Sequence, residues 1–193
     1  IEDVSRVYKL FENNLPICIM QCNTNYEADI KDFKYQNIHT LNEYKKLFPK
    51  AILGLSCHCK SPLPVYASVA LGARVIEKHF TDDNSRTGPD HSFALTPNEF
   101  SNMVENVRNL ETMLGSSIKS VQENEKDTFY AQRRSICTSK NLPKGHKIEY
   151  SDLDYLRPFL KDAFHPYQNS QIIGRILTKD VPKHTILKDT DLE

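Results

Sequence analysis

Over its first 115 residues the chain alternates between two apolar periods. Val4, Val7, Tyr8 and Phe11 recur at helical spacing, and Asn13-Asn14 closes that segment. Ile17–Cys22 is a short run of strand character. Thr40–Phe48 predicts a helix with Leu41, Tyr44 and Leu47 on one face, and Ala51–Ser56 predicts a second strand. Val65–Leu71 predicts a buried, Ala-rich helix closed by Gly72, and Arg74–Phe80 a third strand. Thr96-Pro-Asn-Glu99 has the form of a capping box with proline in the first turn. Phe100, Met103, Val104, Val107, Leu110 and Leu114 continue from it as an apolar stripe, and Gly115 stops the helix. The order αβαβαβα implies parallel strands joined by right-handed crossovers. Three strands are too few to close a barrel.

Residues 116–131 are polar and of mixed charge, without a usable period, and read as an interdomain linker. Beyond them the pattern changes to short β-type segments and turns with an internal repeat. Lys140-Asn-Leu-Pro-Lys-Gly-His-Lys-Ile148, with Asp152-Leu-Asp154, matches Lys179-Asp-Val-Pro-Lys-His-Thr-Ile-Leu187, with Asp191-Leu-Glu193, at a constant offset of 39. Two copies imply a small pseudo-symmetric β domain, too short an array for a solenoid. Lys140, Lys144, Lys179 and Lys183 read as solvated turn charges.

The 193 residues have room for one ordinary domain or two small ones. Lys plus Arg and Asp plus Glu are 25 each, which argues against a basic face for nucleic acid. A mean hydropathy of −0.54 and the lack of a long apolar run give no membrane span, and no leader is visible, so a cytoplasmic location is expected. The chain opens at Ile1 without methionine, already inside an amphipathic pattern, which suggests a piece of something longer. Five cysteines (Cys18, Cys22, Cys57, Cys59, Cys137) are an odd number for a disulfide scaffold, and their spacing fits no zinc ribbon. Cys57-His58-Cys59 has metal-binding chemistry. Reduced, buried thiols are the default reading.

Gly54-Leu-Ser-Cys-His58, Ala70-Leu-Gly-Ala-Arg-Val-Ile-Glu-Lys-His-Phe-Thr81 and Gly88-Pro-Asp-His91 together resemble the sialic acid (N-acetylneuraminate) synthase family. The repeat region, with Arg133-Arg-Ser-Ile136 and Leu156-Arg-Pro158, is similar to that family's antifreeze-like (SAF) domain. The resemblance implies an α/β fold: the last three βα units of a TIM-type barrel over 1–115, the linker 116–131, and a small, mostly β SAF domain over 132–193. A whole barrel takes about 250 residues. The front half, with the family's phosphate-binding lysines, would be missing, and the chain alone is expected to be inactive.

The activity implied is condensation of phosphoenolpyruvate with N-acetylmannosamine or a related sugar to a nine-carbon 2-keto acid. C3 of the enol attacks the open-chain aldehyde, water adds at C2 and phosphate leaves. Two further readings stay open: a non-catalytic SAF module for binding or dimerisation, and a synthase for legionaminic or pseudaminic acid.

The resemblance also assigns residues. His58 and His79 would be catalytic and would ligate a divalent metal, Mn²⁺ with Mg²⁺ or Co²⁺ as alternatives; a histidine pair at this spacing is otherwise most often packed or exposed. Ser56 would help hold phosphoenolpyruvate. Tyr26 and Thr24 would face the sugar, with Asn23 and Asn25 as alternatives to Thr24. Asp90 would contact sugar hydroxyls, although local sequence alone makes it a turn residue after Gly-Pro. Arg157 would reach across a domain-swapped homodimer to the sugar's N-acetyl group; its bland reading is an exposed strand arginine. The chain departs from the family at Cys57, where aspartate is usual, at Cys59, where threonine is common, and at Phe159–Phe164, which replaces a Gly-rich turn. The two cysteines point to a weakened site. Three strands leave an open edge, so a dimer or additional chain is expected rather than a well-behaved monomer.

Overall fold

The computed structural model describes residues 1–26 and 29–193. It divides into two units, 1–117 and 118–193. In the first, α1 (Glu2–Phe11), β1 (Cys18–Cys22), α2 (Thr40–Leu47), β2 (Ile52–Cys57), α3 (Leu63–Ala70), β3 (Val75–Lys78) and α4 (Pro97–Leu114) follow the expected order. The strands form one parallel sheet in the order β1-β2-β3, which fits part of a (β/α) barrel.

Strand alternation sorts this sheet into two faces. Ile19, Leu53 and Leu55 turn toward the helices and join two apolar clusters, one with Tyr8, Leu41, Tyr44 and Phe48, the other with Cys57, Val65 and Met103. The other face carries Met20, Gly54 and Val75 on one rung and Cys22, Ser56 and Glu77 on the next. Gly54 is required there. A Cβ on it would stand 2.8 Å from the Val75 carbonyl oxygen and 2.6 Å from Met20 Cγ.

The third strand is shorter than its apolar run. After Lys78 the chain leaves β2 and pairs with Leu95, whose amide donates to the His79 carbonyl at 3.0 Å while Thr81 N donates to the Leu95 carbonyl at 3.0 Å. Thr96 then starts α4, and Glu99 Oε2 accepts from both the Thr96 amide (2.9 Å) and hydroxyl (2.8 Å). At the opposite edge of the sheet, Val7 and Phe11 of α1 are exposed. They line a groove of about 410 Å³ together with Val4, Ile17 and Met20.

In the second unit the stretch expected to be an aperiodic linker contains α5 (Lys126–Gln132). The helix is too short to show amphipathic periodicity. Its anchors are tertiary: the Phe129 and Tyr130 rings lie 6.1 and 6.2 Å from the Phe159 ring, and Phe159 N donates to the Tyr130 carbonyl.

The 39-residue repeat is a structural one. β4 (Ser135–Thr138) pairs antiparallel with β5 (Leu153–Leu156). The pair Thr138–Leu153 is matched by the bridge Leu177–Leu192, and Cys137–Ile186 by Ile176–Lys147. Leu142–Val181 maps onto itself. Each copy therefore completes the other about a pseudo-twofold axis. The core follows the same rule, with Leu142 and Val181, Ile148 and Leu187, Leu153 and Leu192 as matched pairs. Two of the lysines expected to be solvated turn charges are exposed and also make ion pairs. Lys140 pairs with buried Asp152 at 2.8 Å, and its counterpart Lys179 with buried Asp191 at 2.5 Å. The repeat carries its ion pair with it: each buried carboxylate accepts a backbone amide, from Glu149 or Lys188, and the lysine adds the opposite charge.

Candidate active site at the strand ends

The rung Cys22–Ser56–Glu77 is the last on which the three strands stand level. Two residues on, alternation returns His58 and His79 to the same face at the C-terminal ends of β2 and β3, where (β/α) barrels gather their chemistry. Their rings lie 5.1 Å apart at 52°. His58 is buried, and its Nδ1 is 3.1 Å from the Asn23 carbonyl oxygen. An N–H on Nδ1 donates to that carbonyl and leaves Nε2 as the free lone pair. His79 Nδ1 faces Asp90 Oδ2 at 3.7 Å.

Two aromatic rings wall this pair. Tyr26 is 4.4 Å from His58 and edge-on to His79 at 5.8 Å. Phe93, buried, is 4.9 Å from His79 and 6.0 Å from Tyr26. Below them Ser56 Oγ donates to Glu77 Oε1 at 2.7 Å. The loop after β3 is held by Asn84, whose Nδ2 donates to the carbonyls of His91 (2.7 Å) and Ala94 (2.8 Å). Thr81 Oγ1 and His91 Nδ1 meet at 2.8 Å. That scaffold delivers Asp90 and Phe93 to His79.

The structure thus brings Ser56, His58, His79, Asp90 and Tyr26 together. Thr24 is exposed on the segment leading to Tyr26. Of its two alternatives, Asn23 shapes the loop: its Nδ2 donates to the Tyr35 carbonyl at 2.9 Å, and its Oδ1 accepts from Asn25 N at 3.0 Å. Arg157 belongs to the second unit, where its Nε donates to the Gln132 carbonyl at 2.7 Å. In the departing segment after it, Phe159 is buried and stacks on His165 at 3.9 Å. Two neighbours of the site were not anticipated. For Glu77 the only signal was its place two residues before His79, and its partner Ser56 appears only once β2 and β3 align. Phe93 had no local signal, because only the folded loop turns it onto His79.

Behind the histidines, on the helix side, Cys57 and Cys59 are buried in the cluster with Leu55, Val65 and Met103. Burial, then the neighbouring Cys57, pushes the Cys59 thiol up to about 11. Cys59 is therefore a thiol rather than a thiolate, and strand alternation turns Cys57 away from the face of His58. The two cysteines do not add ligands to the histidine pair. Among the described residues no group of three or more His, Cys, Asp or Glu is disposed to hold a metal ion. Two imidazoles, one with its tautomer fixed by a backbone carbonyl, are a donor set that suits a divalent ion retaining open positions.

A parallel βα array with paired histidines at its strand ends, followed by a pseudo-twofold β unit, defines part of a (β/α) barrel joined to a small β domain. The chain belongs to the NeuB family, which it matches over residues 1–119, and it matches the SAF domain over 133–193. It is 36% identical over 171 residues to an N,N'-diacetyllegionaminic acid synthase of Legionella pneumophila, covering 89% of this chain and 46% of that protein. It is 31% identical over 195 residues to a pseudaminic acid synthase of Campylobacter jejuni, covering 100% of this chain and 54% of that one. The crystal structure of spore coat polysaccharide biosynthesis protein SpsE from Bacillus subtilis superposes with a TM-score of 0.54 at 31% identity, covering 100% and 58%. The chain spans about half the length of the curated relatives it matches. No helix among the described residues is long and apolar enough to cross a membrane.

Proposed function

We propose that this chain supplies the C-terminal strand-end half of an active centre that condenses phosphoenolpyruvate with an N-acetylated amino sugar. The observation that carries the reading is the facing pair of imidazoles, His58 and His79, with His58 Nδ1 held by the Asn23 carbonyl. Membership of the NeuB family supports it. Bound to His58 and His79, a divalent ion, Mn²⁺ or alternatively Mg²⁺ or Co²⁺, supplies Lewis-acid chemistry toward a carbonyl oxygen.

The chain's own residues bind and orient. Glu77 fixes the Ser56 hydroxyl beside the phosphoenolpyruvate site, and Asp90 accepts from a sugar hydroxyl next to His79. The Tyr26 and Phe93 rings exclude water from the pair. A carbon–carbon bond forms between C3 of phosphoenolpyruvate and the sugar aldehyde carbon, water adds at C2, and inorganic phosphate leaves. Arg157 of a second copy completes the acetamido pocket in a cytoplasmic homodimer. Similarity to legionaminic and pseudaminic acid synthases favours a bacterial-type nonulosonic acid as product.

Phosphate release from phosphoenolpyruvate, assayed on the intact gene product, tests this. Release is expected only with both an N-acetylated amino sugar and Mn²⁺ present, and is lost in His79→Gln. Release that ignores the sugar contradicts the reading.

A further inference from the structure

The β2–β3 ladder ends at Cys57–Lys78, so His58 and His79 lie one step beyond the last paired rung. Past that point His79 bonds to Leu95 instead, and nothing in the ladder fixes the distance between the two imidazoles. A side chain does bridge the gap. Lys78 points to the helix side, opposite Glu77 and His79, and its Nζ donates to the carbonyl oxygen of Cys59, the residue following His58. Among the described residues no carboxylate lies within ion-pair distance of this partly buried ammonium. Its neighbours are the buried Cys57 and Cys59 thiols, with Glu99 further off.

An ammonium is costly in such a layer, where methionine or leucine would pack without desolvation. Its polar partners are the Cys57 thiol, on the strand paired with its own, and the carbonyl just after His58, the one contact that lies beyond the ladder. The chain carrying one imidazole is therefore anchored, from behind, by the residue immediately before the other.

We infer that Lys78 is a positioning residue: its bond to the Cys59 carbonyl closes the open end of the ladder and holds His58 at a fixed separation from His79. The clamp itself rests on geometry alone. Its consequence for metal binding rests on the function proposed above.

The test compares the full chain with Lys78→Met, which keeps the stem and removes the donor, and Lys78→Arg, which restores a donor. In the metal-free chain, proton NMR should give a cross-peak between the His58 and His79 rings, assigned with His58→Gln and His79→Gln. Lys78→Met should lose that cross-peak while keeping its unfolding midpoint, and Lys78→Arg should retain it. Co²⁺ titration, followed by visible absorption, should be about tenfold weaker in Lys78→Met, the size of effect known for groups that orient metal ligands. A cross-peak unchanged in Lys78→Met overturns the inference whatever the metal affinity. Loss of the cross-peak together with the whole dispersed spectrum, with no recovery in Lys78→Arg, overturns it in favour of a general folding role. Failure of the unsubstituted chain to bind Co²⁺ counts against the functional proposal and leaves the cross-peak to judge the clamp.

Discussion

His58 and His79, each the first residue past one of two neighbouring parallel strands and 21 residues apart in sequence, face each other with ring centroids 5.1 Å apart, just above the hydrogen-bonded pair Ser56–Glu77. This is the result of two registers. Parallel pairing aligns Ser56 with Glu77, and the two-residue side-chain period of a strand then brings the histidines to the same face. The stack depends on Gly54 two rungs below, where the strands approach too closely for a side chain.

Gly54→Ala is therefore expected to destabilise the first unit by about 1–3 kcal/mol, the usual cost of forcing an extra methyl into a packed position. Met20 can swing away, but the Val75 carbonyl is backbone and cannot. Urea unfolding of the variant measures this. An unchanged midpoint contradicts the packing described.

Glu77→Gln keeps shape but removes the charge that accepts from Ser56. A hydrogen bond to a charged group contributes about 1.5–3 kcal/mol. The expected outcome is a fall of about tenfold or more in kcat/KM for phosphoenolpyruvate, with the fold retained and a lowered melting temperature, since the variant's amide still accepts from Ser56 but more weakly. Steady-state kinetics on the intact gene product checks it.

In the second unit, burial raises the Asp152 carboxyl, and Lys140, the Glu149 amide and His146 more than reverse that and hold it at about 2, below its ordinary 3.8. A depressed carboxyl stabilises the fold above its unfolded value. Its contribution is fully present above about pH 4 and is lost as pH falls through about 2. Asp152→Asn should cost about 2 kcal/mol at neutral pH and should flatten the acid limb of the stability curve between pH 4 and 2. Denaturation followed across that range reads both effects. An acid limb unchanged in the variant contradicts the assignment.

Limited proteolysis should cut the chain before α5, within 116–122, and leave a fragment that includes Phe129 and Tyr130. The linker reading of 116–131 places cuts throughout that stretch, whereas the contacts of Phe129 and Tyr130 with Phe159 protect its second half. N-terminal sequencing of the stable product distinguishes the two. A fragment starting after Gln132 contradicts the packing of α5.

Most of the scaffold was legible because its signals are local. The apolar periods marked the helices and strands, Thr96 and Glu99 marked the start of α4, and the offset of 39 announced the paired copies whose bridges the structure displays. The motifs around His58, His79 and Asp90 also marked the segments that converge. What was not legible depends on register or on packing at a distance. Glu77 acquires its partner only when β2 and β3 align. Phe93 reaches His79 only through a loop tied by Asn84. Lys78 is one charge in a strand until the turn after His58 presents a carbonyl to it. The short α5 carries no period, since its anchor Phe159 lies about 30 residues along the chain. Lys140 and Lys179 are solvated, as their turns suggested, but their ion pairs were hidden because the burial of Asp152 and Asp191 arises only when the two copies close on each other.

The central claim is that His58 and His79 together hold a divalent ion. Mn²⁺ titration followed by electron paramagnetic resonance of the free ion tests it most directly. The account predicts one binding event per chain that is abolished in both His58→Gln and His79→Gln and is retained in His39→Gln, whose imidazole is exposed beside Asn42 and away from the pair. Binding that survives either of the first two substitutions, or no binding in the unsubstituted chain, contradicts it.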